Sequence, residues 1–92
     1  MKAELEESIR LLLRNGNIKE AEAQLMEAYR DNKQDDAVYY WWGNLRRQQS
    51  NWKEALQLYA QAIELNPGSP AREARELLLQ IIQFRDTQRY NV

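Results

Sequence analysis

The segment Asn17-Ile-Lys-Glu-Ala21 returns farther along the chain as Asn51-Trp-Lys-Glu-Ala55, with one apolar residue exchanged for another. Ala28 and Ala62 keep the same interval, as do Asn32 and Asn66. A fixed period of this size means that one supersecondary unit is used more than once, each copy burying its apolar face only against a neighbour. The 92-residue chain has room for little more than two such units. The repeated segment is itself a helix start. Asn17 and Asn51 are N-cap residues, and Glu20 and Glu54 follow three positions on, where each pair can satisfy exposed backbone donors reciprocally. Three Gly and two Pro leave little chain for turns or sheets, so the expected class is all-α, with about five helices in one domain.

Apolar residues at Leu5, Ile9, Leu12 and Leu13 predict a first helix from Lys2 to Arg14, ended by Asn15-Gly16. The second starts at Asn17 and carries Ala21, Leu25, Ala28 and Tyr29 inward. A polar run follows to Asp36, which is the expected cap of the third helix. Asp36 to Pro67 reads as two helices folded into a hairpin. Gly43 falls inside the first of them at a cost of about 1 kcal/mol relative to Ala. The expected reason is a close approach by the second helix, with Ala55 and Ala62 facing Gly43 and no side chain between the backbones. Tyr39, Trp42, Trp52 and Tyr59 would fill the space around it. Asn66-Pro-Gly-Ser-Pro70 is a stop and restart: Pro after one helix, then a Ser cap with Pro at the first position of the next. The last helix runs from Pro70 to about Arg85, with Ala74, Leu77, Ile81 and Phe84 as its covering face. Leu78, Leu79 and Ile82 fall partly outside that stripe, so the helix is apolar around more of its circumference than a cap requires. Residues 86–92 are expected to fray, with Tyr90 tucked back.

Tyr39, Trp42, Gly43, Ala55, Tyr59 and Pro67 stand in the order and spacing of an aromatic, a large apolar residue, a Gly, an Ala, an aromatic and a terminal Pro. The chain thereby resembles the tetratricopeptide repeat family, whose period of about 34 residues is also the interval between the two capping segments. The resemblance implies antiparallel helical hairpins stacked as a short right-handed superhelix. Repeat 1 would cover about 2–35, repeat 2 about 36–69 and a capping helix about 70–85. The first copy is degenerate: Ser8 and Ile9 stand where the second has Trp42 and Gly43, and Lys33 where it has Pro67. Arg46 takes a position that is usually aromatic, so the face around it is expected to be more basic than in other members.

The resemblance also implies a binding scaffold, in which the first helix of each hairpin lines a concave groove. That face selects Glu6, Arg10, Leu13 and Arg14 from the first helix and Tyr40, Asn44, Arg47 and Gln48 from the third. The last helix would add Ala74, Leu78, Ile81, Ile82 and Arg85. Asn44 matches a family Asn that meets a peptide backbone, and an amide can donate and accept at once. Arg10, Arg14 and Arg47 are the candidates to receive a carboxylate. Tyr39-Tyr40-Trp41-Trp42 circles the helix, so the four rings cannot share one core. Tyr40 is expected toward the groove, and Trp41 and Leu79 are expected at an interface outside it.

Enzymatic function is excluded by inventory. The chain has no His and no Cys, which removes the usual base, nucleophile and soft-metal ligands. Glu4, Glu6, Glu7, Asp35 and Asp36 read as solvated surface and caps. No catalytic residue, cofactor, metal or small-molecule substrate is expected; the expected partner is a protein or peptide. A net charge of -1 argues against nucleic acid and acidic membrane as partners. Without a signal-peptide pattern at Met1-Lys-Ala-Glu, the expected location is cytoplasmic. Two alternatives stand beside peptide binding: self-association through the last helix and the Tyr40 face and, more remotely, RNA binding by a helical repeat.

Overall fold

A computed structural model describes residues 1–90, with side chains to Arg85. Five helices follow one another: α1 (Ala3–Arg14), α2 (Ile18–Asp31), α3 (Asp36–Gln48), α4 (Trp52–Leu65) and α5 (Ala71–Tyr90). Short turns fold α1 onto α2 and α3 onto α4; α3 also packs on both α1 and α2, and α5 packs on α4. The array is elongated, with extents of 47 × 29 × 17 Å.

The two hairpin turns are built alike. Gly16 turns the first with φ +79°, and Ser50, one period on, turns the second with φ +61°. Only Gly adopts that left-handed region without a Cβ penalty. The capping segments are less alike. Asn51 Oδ1 accepts from the Glu54 amide at 3.4 Å while Asn51 Nδ2 donates to Glu54 Oε2 at 2.7 Å. Asn17 makes no side-chain cap, although its sequence predicts the same reciprocal pair. Asp35 caps α3 by accepting from the Ala37 amide at 3.0 Å, one residue before the expected Asp36. Ser69 is buried and its Oγ accepts from the Ala71 amide at 3.0 Å, starting α5 where the Ser-Pro pair predicts. α5 runs past the expected boundary at Arg85 to Tyr90; the side chain of Tyr90 and residues 91 and 92 lie outside the described part.

Two core clusters result, with α3 supplying both. The first joins Ile9 and Leu13 of α1, Ala21, Leu25 and Ala28 of α2, and Val38 and Leu45 of α3, with Trp41 and Trp42 packed against it. The second joins Tyr39 of α3, Ala55, Tyr59 and Ala62 of α4, and Ala71 and Leu78 of α5. Tyr29 bridges the clusters edge-on to both Tyr39 (6.2 Å) and Trp42 (6.1 Å). Full burial of each large apolar side chain contributes about 1.5–3 kcal/mol, so these stripes hold the array together.

Three expectations are corrected here. Gly43 does not sit against bare backbone: a Cβ there would lie 2.5 Å from Tyr59 Cε1 and 2.6 Å from Cδ1, so the glycine makes room for a ring. The covering face of α5 is Ala71, Ala74, Leu78 and Ile82, whereas Leu77, Ile81 and Phe84 point outward. The small Ala71 and Ala74 let α5 approach α4 closely, which rotates the larger side chains away. Arg46 does not make its face basic. Its guanidinium pairs with Glu22 of α2 and, at 3.1 Å, with Glu54 of α4, tying both hairpins to α3.

Candidate protein-binding groove

On one face of the array α3 lies between α1 and α5. Trp41 Nε1 donates to Glu6 Oε1 at 2.9 Å, and Gln48 Nε2 donates to the Leu13 carbonyl at 2.7 Å, fastening α3 to α1 at two points. Between α3 and α5 a recess of about 220 Å³ is lined by Tyr40, Asn44 and Arg47 on one side and Pro70, Glu73, Ala74 and Leu77 on the other. Tyr40, Asn44 and Arg47 share this wall because residues three and four apart fall on one face of a helix.

Tyr40 is half-buried, edge-on to Trp41 at 5.2 Å and tilted against Tyr59 at 6.3 Å. Its ring is therefore held from behind and presents one edge to the recess. The Tyr59 hydroxyl donates to Asn44 Oδ1 at 2.6 Å. Burial pushes that phenol up to about 12, with Tyr40 adding to the rise and the charge of Arg47 opposing it. The phenol thus keeps its proton through the physiological range and fixes the amide. Asn44 does not offer both of its functions freely, as the sequence suggests; its oxygen is engaged, and its Nδ2 donors remain for a carbonyl.

The cations divide into committed and available groups. Arg10 is bound by Glu7 through Nε (3.0 Å) and Nη2 (2.5 Å). That hydrogen-bonded pairing holds the Glu7 carboxyl below its usual range and raises Arg10. Arg14 and Arg47 are exposed and have no hydrogen-bond or ion-pair partner among the described residues. Of the three arginines selected from sequence, these two have guanidinium groups that no carboxylate of the described residues occupies.

Several selected residues do other work. Leu78 is wholly buried against α4 and is core, not groove, because α5 is rotated from the register carried over from α3. Leu13 is core for the same reason of burial. Ile82 packs half-buried beside Leu78, and Arg85 lies over the Trp52 ring at 4.7 Å, away from the recess. Trp41 packs on the first cluster and bonds to α1, while Leu79 is exposed on the far side of α5. Pro70, Glu73 and Leu77 line the recess without having been selected. The signal for Leu77 was its place one period after Gly43, on the face that meets a second arm. Glu22, which accepts from both Trp42 Nε1 (3.1 Å) and Arg46, was also missed; an Arg in an aromatic position calls for such a carboxylate.

Two stacked hairpins that repeat at one fixed interval, with a fifth helix closing the second core, define a helical-repeat protein. The tetratricopeptide repeat family model matches residues 7–70, more than two thirds of the chain and nearly all of both hairpins. The chain belongs to the tetratricopeptide repeat family, whose members generally mediate protein–protein interaction and are typically non-catalytic scaffolds. No curated protein and no solved structure matches the chain at a significant level.

Proposed function

We propose that this chain is a non-catalytic recognition module that binds an extended acidic segment of another protein along the face formed by α1, α3 and α5. The observation that carries the reading is the recess between α3 and α5, where Tyr40, Asn44 and Arg47 converge and Arg47 has no ion-pair partner among the described residues. Each offers a different contact. Tyr40 gives an amphipathic ring edge, Asn44 an amide donor for a backbone carbonyl, and Arg47 a fork for a carboxylate. Arg14 extends the cationic line onto α1. Charge-assisted bonds are about twice as strong as neutral ones, so the arginines select the acidic residue while the amide sets the strand's position.

Selection from a peptide library tests this, using wild type and an Arg14→Glu/Arg47→Glu variant. Both side chains are exposed and, among the described residues, unpaired, so the variant keeps its helical spectrum. Wild type is expected to select peptides with an Asp, Glu or terminal carboxylate, and the variant to lose that set. A folded variant that selects the same acidic peptides contradicts the proposal.

A further inference from the structure

The outward stripe of α5 has a place in the chain's own period. Leu77 and Ile81 stand two periods after Ile9 and Leu13 of α1. Ile9 and Leu13 are 0% and 5% exposed, covered by α2, the second arm of their hairpin; Leu77, Ile81 and Phe84 are 55%, 45% and 61% exposed. Among the described residues nothing covers them. In the first hairpin the residues at these positions are covered by an amphipathic helix laid antiparallel, and a helix of that kind fits this face of α5.

We propose that the helix is α5 of a second copy of this chain, the two α5 helices pairing antiparallel about a twofold axis so that each serves as the other's second arm. Leu77, Ile81 and Phe84 recur at intervals of four and three residues, the seam spacing of two helices packed at a shallow angle. An isologous contact requires a patch that matches itself. In the antiparallel sense Leu77 of one copy falls opposite Phe84 of the other, with Ile81 near the axis. This direction also separates like charges. Glu73 and Glu76 both lie in the N-terminal half of α5 and come to opposite ends of the pair, whereas a parallel arrangement would place Glu73 beside Glu73. A net charge of -1 per copy adds little repulsion. The stripe is small beside the area of about 1200–2000 Å² that stable interfaces bury, so the dimer is weak and depends on concentration.

Sedimentation equilibrium of the full chain from micromolar to millimolar concentration tests this. The mass is expected to rise from 11.0 kDa toward twice that value. A mass that stays at 11.0 kDa overturns the proposal and leaves the stripe to a helix of another protein. The Ile81→Glu/Phe84→Glu variant is expected to remain monomeric; dimer retained by that variant also overturns it. Leu77 belongs to both the stripe and the recess, but Ile81 and Phe84 lie outside the recess and Arg47→Glu is expected to leave the dimer mass unchanged, so failure here and failure of peptide binding are distinguishable. Cysteine placement supplies a check that does not depend on charge in the stripe, since the chain has no Cys. Ile81→Cys is expected to form a covalent dimer on oxidation, and Leu79→Cys, at a similarly exposed site outside the stripe, is not. Equal cross-linking of the two, or none, contradicts the twofold pairing.

Discussion

Gly43→Ala sets two known effects against each other at one atom. Replacing Gly by Ala inside a helix is worth about 1 kcal/mol of stability when the site has room. Here the added Cβ would lie 2.5 and 2.6 Å from two carbons of the Tyr59 ring and 3.2 Å from a third. The ring cannot swing aside cheaply: Tyr59 is wholly buried, and its hydroxyl is held by Asn44 at 2.6 Å. Overpacking a filled core costs about 1–3 kcal/mol, and the upper part of that range applies because moving the ring also strains a bond worth about 1 kcal/mol. The sum is a destabilisation of about 1–2 kcal/mol. In a domain of this size that lowers the melting temperature by roughly 5–15 °C, read by circular dichroism at the helical band. A second background isolates the cause. With Tyr59→Ala every atom beyond Cβ is gone, and adding Gly43→Ala is expected to be neutral or stabilising by up to about 1 kcal/mol. Equal costs in both backgrounds, or no cost in the wild-type background, would refute the steric argument.

Three further outcomes follow from single contacts. Tyr59 is raised from the usual 10.0 to about 12, so the unfolded chain gives up this proton before the folded one does. Its contribution, at most about 3 kcal/mol, is therefore complete below pH 10 and lost as pH rises toward 12. Tyr59→Phe should flatten the alkaline loss seen in urea melts between those values, and an unchanged slope would count against burial as the cause. Asn51→Ala should cost about 1 kcal/mol and Asn17→Ala less than half of that, because only Asn51 makes its cap bond; equal costs would mean that the difference between the hairpins is not energetic. Ser50→Gly should stabilise by up to about 1 kcal/mol, because φ is +61° there and Gly16 already fills the equivalent turn; a loss of stability would show that the Ser50 side chain makes a contribution of its own.

Helices with a single packed face were legible in the sequence, and those with two were not. Ile9, Ala21, Leu25, Ala28, Ala55, Tyr59 and Ala62 all lie in the cores where helical spacing places them, since each of their helices has one apolar stripe and one consistent burial. α5 carries Leu77, Leu78, Leu79, Ile81, Ile82 and Phe84 almost without a break, so two overlapping stripes satisfy the same period. Which one turns inward depends on how closely α4 can be approached, and Ala71 and Ala74 decide it. That is information about a pair of helices, which the periodicity of one helix does not contain. The groove shows the same division. The faces of Tyr40, Asn44 and Arg47 follow from register, but the capture of Asn44 by Tyr59 of the next helix, and of Arg46 by Glu22 and Glu54, depends on which polar groups meet when the hairpins close.

The central claim, that recognition occurs across α1, α3 and α5, is tested most directly by amide chemical shifts of the labelled chain titrated with a peptide selected by the wild type. The account predicts saturable shifts concentrated at Arg14, at Tyr40 to Arg47 and at Glu73 to Leu77, with α2 and the outward residues of α4 unchanged. Shifts centred on α2 and α4, with Tyr40, Asn44 and Arg47 unmoved, would contradict it.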